Sequence, residues 1–195
     1  MSVDLRALTG AALAEALDDV ARLRIAVFRD WPYLYDGDVD YERRYLQSYR
    51  DSANALIVGA FDGATLIGAA TGTPMEDHGD EFAAAFAATS YSPGDIFYCA
   101  ESVLLPAYRG RGLGHAFFDF REDHARRIGR TYAAFCAVMR PDDHPLCPPG
   151  HRPLDAFWAK RGYAPLAGAI ATYSWRDLGE AAETEKPMQF WIKTL

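Results

Sequence analysis

Residues 96–105 are apolar except at Glu101 and Ser102, and from Leu113 the apolar positions recur at Ala116, Phe117, Phe120 and Ile128. The first pattern predicts a central strand covered on both faces, the second an amphipathic helix. His115, Asp119, Glu122 and Arg126 take the helix's polar face, with Glu122 and Arg126 forming a favourable i,i+4 pair. Between the two, Pro106 ends the ladder, and residues 109–114 place two arginines and three glycines where the strand must turn into the helix. Glycine lets backbone N–H groups approach an anion with no Cβ in the way, and a helix N-terminus adds partial positive charge. The stretch reads as a phosphate cradle.

The same reading extends along the chain. Residues 3–8 alternate as a first strand, and a helix over 11–28 turns Leu13, Leu17, Val20, Ala21 and Arg24 inward. Residues 41–51 predict a second helix, and 55–62 with 65–73 a hairpin through Asp62-Gly63. Residues 75–95 insert before the central strand, with 81–88 helical; a lid and a simple connection fit equally. Downstream come a strand over 131–139, a loop over 140–153 with five prolines and two histidines, and a short helix over 154–161 ended by Gly162. The runs 169–178 and 187–195 pair as a closing hairpin around an acidic turn at 180–185. No repeat or second domain emerges, so 1–195 reads as one domain.

Composition narrows the function classes. A formal charge of −7 argues against a nucleic-acid or anionic-membrane surface. No apolar run is long enough to span a bilayer and no signal-peptide pattern opens the chain, so a cytoplasmic location is expected. Cys99, Cys136 and Cys147 lack metal-ligand spacing, and their odd number fits reduced thiols. His144 and His151 lie near Asp142 and Asp143, but the prolines between them leave no helical register for a metal, and none is expected.

The strand-glycine turn-helix unit fits neither of two common phosphate fingerprints. Arg109-Gly110-Arg111-Gly112-Leu113-Gly114 lacks the Lys-Ser/Thr of a P-loop, and Gly112-x-Gly114 is followed three residues on by Phe117 rather than by glycine. Arg109, Gly112 and Gly114 instead match Arg/Gln-x-x-Gly-x-Gly/Ala, and Pro106, Tyr108 and Arg111 fit its usual flanks. The chain thus resembles the GNAT superfamily of acyl-CoA N-acyltransferases. Residues 155–163, Asp-Ala-Phe-Trp-Ala-Lys-Arg-Gly-Tyr, are similar to that family's second signature, an aromatic pair before x-Lys-x-Gly-Phe/Tyr. Trp158 stands where a tyrosine often protonates the departing thiolate; indole N–H is not acidic enough to do so.

The resemblance implies an α/β fold: a mixed, mostly antiparallel sheet of about seven strands flanked by helices and splayed at the central strand. It implies acetyl-CoA as co-substrate, its pyrophosphate held by Arg109, Gly110, Arg111, Gly112, Leu113 and Gly114 and its pantetheine along Ser102, Val103 and Leu104, with Trp158 beside it. A bulge at 102–104 would aim a backbone N–H at the thioester carbonyl. The segment after the first helix commonly lines the family's acceptor pocket. Here Trp31, Tyr33, Tyr35, Asp36 and Asp38 are candidates to receive an amine by cation–π and carboxylate contacts. They serve equally as rings capping the core and acids facing water.

Transfer to an amine needs a base, since an alkyl ammonium has a pKa near about 10. Glu101 is the candidate: it reads as the lone carboxylate in an apolar strand, where desolvation favours taking up a proton, and the family often places its base on this strand. Its structural role would be a glutamate held by an arginine or backbone N–H groups. For the thiolate, Tyr132, Tyr163 and Tyr173 are possible donors, with His151 and His144 behind them, and water would suffice. The expected activity is direct acetyl transfer to a primary amine of a small, cationic acceptor, with a homodimer left open. The rival is a non-catalytic acyl-CoA-binding or regulatory module.

Overall fold

The computed structural model describes residues 3–78, 80–141 and 143–195. In chain order the elements are β1 (Asp4–Leu8), α1 (Gly10–Phe28), α2 (Val39–Tyr45), α3 (Gln47–Asp51), β2 (Leu56–Asp62), β3 (Thr65–Pro74), α4 (Asp80–Ala84), β4 (Ile96–Tyr98), β5 (Ser102–Leu104), α5 (Leu113–Arg127), β6 (Tyr132–Val138), α6 (Asp155–Lys160), β7 (Ala164–Trp175) and β8 (Thr184–Thr194). The strands form one sheet in the order β1-β2-β3-β4-β6-β8-β7, with β5 also paired to β3. Its ladders are antiparallel except β4 with β6.

Strand period places the two helical layers. Along β2, Ile57 packs with α1 residues Leu13, Val20 and Ala21, whereas Leu56 and Val58 pack with Phe117 and Phe118 of α5 on the other face. A strand buried on both sides is apolar throughout, as residues 56–60 are.

The predicted central strand is not continuous. Tyr98 pairs with Thr73 and Ser102 with Ala70, so four steps on one strand face three on the other: a bulge with one extra residue. It falls at 99–101 rather than at 102–104. Thr71 faces it, accepting from Ala100 N–H at 3.1 Å and donating its own N–H to Glu101 O at 3.0 Å. Counting the halves separately gives eight strands where about seven were expected. The bulge also opens the sheet: Cys99 N–H still reaches Ala134 O at 2.8 Å, but β5 pairs only with β3 while β6 runs on beside β8.

Several boundaries differ from expectation. The helix predicted over 41–51 is two, α2 and α3, meeting at Leu46, and the helix predicted over 81–88 is the single turn of α4. The closing hairpin is longer, β7 starting at Ala164 and absorbing an irregularity between Pro165 and Ile170. Glu122 is not on a solvated face. It is 3 % exposed, and its carboxylate accepts from Arg161 at 3.1 Å, Lys193 at 2.7 Å and Tyr163 at 3.2 Å. Those partners come from the connection between α6 and β7 and from β8, segments that local periodicity cannot see.

Candidate active site

The glycine turn has the form of an anion site. Gly112 caps α5 with φ +82°, and Gly110 also has positive φ, conformations that L side chains rarely adopt. Among the described residues the amides of Gly110, Arg111, Gly112, Leu113 and Gly114 make no hydrogen bond; the first to do so are His115 and Ala116, both to Gly112 O. Five consecutive amides at the positive end of a fifteen-residue helix suit a phosphate group. Arg109 and Arg111 are exposed beside them, tethered through Nε to Leu104 O at 3.1 Å and through Nη2 to Ala107 O at 2.9 Å. The residues present therefore fit a pyrophosphate.

From that turn the open edge of β5 leads back to the bulge. Thr71 N–H bonds Glu101 O and Leu105 N–H bonds Ile67 O, so antiparallel alternation directs the N–H groups of Ser102 and Leu104 away from β3. Val103 faces inward and is buried against α1. Trp158 packs between Phe135, at 5.0 Å, and Trp191, at 5.2 Å, with its half-buried indole against the core on the α5 side.

Arg121 fixes this bulge. Its guanidinium, 1 % exposed, donates to Phe117 O, Thr71 O, Glu101 O and Ser102 Oγ at 2.8 to 3.2 Å. Two of those acceptors are Glu101 in the bulge and Thr71 across the ladder, and a third is Ser102, the residue that follows the bulge. Its only sequence signal is a cation four residues after Phe117, on the helix's inner face.

On the opposite side of the bulge lies a cleft with about 70 Å³ of room for water-sized molecules, whose lining includes Glu101, Ala100 and Arg24, and in which nine residues are aromatic. Glu101 is 7 % exposed and is not a lone carboxylate. Arg24 Nη1 lies 2.5 Å from its Oε1, and Tyr45 donates to its Oε2 at 3.2 Å. The same guanidinium bonds the fully buried Glu42 through Nε. Burial works against the Arg24 charge, but Glu101 and Glu42 more than offset it and raise its pKa well above the ordinary value. Burial, then the Glu101 charge, pushes the Tyr45 phenol well above its ordinary range, so it remains a donor.

The acceptor candidates divide. Tyr33 and Tyr35 line the cleft. Trp31 turns away and packs on His144 and His151, at 5.0 and 5.9 Å between ring centres. Asp36 pairs with Arg176 at 2.7 Å, and Asp38 accepts from Tyr41 N–H at 2.8 Å as the cap of α2; both border an outer basin that shares Tyr35, Tyr41 and Trp175 with the cleft. Asp142 lies outside the described residues. Of the groups considered for the thiolate, Tyr173 lines the cleft, its hydroxyl bonded to that of Tyr41. Tyr163 is buried behind α5 on Glu122, and Tyr132 packs edge-on against Tyr91.

Loop 31–36 is held in place by contacts invisible in the sequence. Arg140 donates to both Asp177 oxygens, at 2.7 and 3.0 Å, and to the carbonyls of Pro32 and Tyr33. Trp175 Nε1 donates to Tyr33 O at 2.9 Å. Phe82, from the 75–95 insertion, closes another wall of the cleft.

A splayed α/β sheet, with a strand-glycine turn-helix unit and a cleft meeting it at a bulge, defines an acyl-CoA N-acyltransferase type of fold. The family model described as Acetyltransferase (GNAT) family matches residues 13–148, and the chain belongs to that family. Solved structures share the fold. A GCN5-related N-acetyltransferase from Kribbella flavida is 15 % identical with a TM-score of 0.57, covering 99 % of this chain and 98 % of its own. PaiA N-acetyltransferase from Thermoplasma acidophilum, in complex with coenzyme A, is 13 % identical with a TM-score of 0.55 over 100 % of both chains. YncA from Salmonella typhimurium with acetyl-CoA is 13 % identical, TM-score 0.57, covering 100 % of this chain and 95 % of its own. No curated protein matches the sequence.

Proposed function

We propose that this protein transfers an acetyl group from acetyl-CoA directly to a primary amine of a small acceptor, with Glu101 as general base. Two surfaces meeting at the bulge support this: Glu101 ends the aromatic cleft, and the next residue, Ser102, turns its N–H to the open edge leading to the glycine cradle. A group in the cleft and a group on that edge are thus brought to one point.

Bound acetyl-CoA supplies an activated acyl group there, held by the amides of 110–114, by Arg109 and Arg111, and by the edge of β5. Glu101 receives the ammonium proton; each of its oxygens has one partner and a lone pair to spare. The backbone N–H of Ser102 or Leu104 is placed to polarise a carbonyl along that edge. Tyr173, or water in the cleft, returns a proton to the thiolate. PaiA with coenzyme A and YncA with acetyl-CoA add weight to the choice of co-substrate.

The test is the unfolding midpoint with and without acetyl-CoA. For a dissociation constant of ~10 μM, ~1 mM ligand contributes about 2.7 kcal/mol, a rise of roughly 5 to 10 °C. No rise sinks the co-substrate assignment. The rival, a non-catalytic acyl-CoA-binding module, has one observation on its side, the Arg24 cation against Glu101. It predicts the same rise with no thiol release from any amine.

A further inference from the structure

We infer that the acceptor is an amphipathic monoamine: one primary amine on a short arm, carrying an aromatic or similarly flat apolar body, with no carboxylate beside the nitrogen. This rests on the transferase reading above. Of the nine aromatic residues lining the cleft, two are phenylalanines and five of the others have their polar ends bonded within the protein. Tyr41 and Tyr173 bond one another through their hydroxyls, Tyr45 bonds Glu101, and Tyr98 pairs with Cys136 Sγ at 3.1 Å. What they present to the cleft is ring faces and edges, which hold a flat apolar body by offset and edge-to-face contact.

Charge settles the other end. Arg24, Glu42 and Glu101 carry one positive and two negative charges, leaving a single buried negative charge for a single ammonium. An amino acid would bring a third carboxylate against Arg24, whose guanidinium already serves two, and like charges in a dry site repel strongly. A polyamine would leave its second ammonium without a carboxylate partner, because Glu101 is the only acid lining the cleft among the described residues. Of the acids in the outer basin, Asp36 pairs with Arg176 and Asp38 caps α2, while Glu183 lies beyond the cleft's own lining. A neutral polar substituent at the far end of the body would instead reach the outer basin, where Arg44 and Glu183 lie.

The experiment is a thiol-release assay on the full chain at saturating acetyl-CoA, with 2-phenylethylamine, tryptamine, phenylalanine, tryptophan and spermidine. Phenylethylamine and tryptamine should give a kcat/KM at least about tenfold above the other three. Phe82→Leu should raise KM for 2-phenylethylamine several-fold and leave that for acetyl-CoA unchanged. Spermidine or either amino acid turning over as well as the arylalkylamines overturns this acceptor class while leaving the transferase reading intact. An unmoved KM in Phe82→Leu overturns the placement of the body in this cleft. No thiol release with any amine overturns the transferase reading, and this inference with it.

Discussion

Arg24 Nη1 stands 2.5 Å from Glu101 Oε1 while its Nε holds Glu42, so the proposed base is one end of a buried carboxylate-arginine-carboxylate triad. A base held this way is pre-aimed but not free. Glu101→Gln keeps the shape and removes the proton acceptor: kcat at neutral pH should fall by ~10²- to 10⁴-fold, with the acetyl-CoA dissociation constant unchanged within error. Single-turnover kinetics and calorimetric titration check the two halves, and an unchanged kcat would remove Glu101 from the reaction.

Breaking the triad from its centre tests stability instead. Arg24→Met leaves two buried carboxylates facing each other without a cation, and the expected cost is roughly 3 to 5 kcal/mol. Urea unfolding at pH 7 measures it. A cost below about 1 kcal/mol, the range of exposed pairs, would mean water already screens the triad.

Gly112 caps α5 at φ +82° with nothing near the position a Cβ would take. Gly112→Asp therefore introduces backbone strain of about 1 to 2 kcal/mol and a carboxylate that competes for the cradle amides. Losing two charge-assisted hydrogen bonds at ~1.5 kcal/mol each weakens acetyl-CoA about a hundredfold. Acetyl-CoA titration of the soluble variant decides it.

His78 lies among Tyr45, Tyr49, Phe82 and Tyr98, and burial, then the Arg24 charge, lowers its pKa to about 3 from 6.5. Above pH 6.5 neither the folded nor the unfolded form binds the proton. As pH falls from 6.5 toward 3 only the unfolded chain takes it up, so native stability is lost across that window, by roughly 2 to 3 kcal/mol at pH 4.5. His78→Phe keeps a ring in place and removes the titration. The difference between variant and parent should move in the variant's favour by that amount between pH 7 and pH 4.5, read from urea midpoints at each pH.

Arg140 ties Asp177 to the carbonyls of Pro32 and Tyr33. Burial opposes the Asp177 charge, but hydrogen bonds and charge from Arg140, with Lys186, hold its carboxyl below the usual range. Arg140→Ala should loosen the acceptor loop, raising acceptor KM several-fold with acetyl-CoA affinity intact, and cost about 3 kcal/mol. Equal shifts in both affinities would show a global rather than a loop effect.

Apolar periodicity, the turn glycines and the local signatures determined the order of elements, the strand-turn-helix unit and the inward placement of Arg24, and singled out Glu101 as a candidate. These are properties of neighbours in the chain, carried by backbone dihedrals and by side chains three or four residues apart. Only the tertiary structure decided that Glu101 has Arg24 and Tyr45 on it, that Glu122 is buried among cations, that Arg121 braces the bulge, and that Trp31 leaves the cleft while Phe82 and Tyr173 join it. Burial and partnership of a polar group depend on which distant elements pack against it, and the hydrogen bonds that place loop 31–36 join residues 107 and 108 positions apart in sequence.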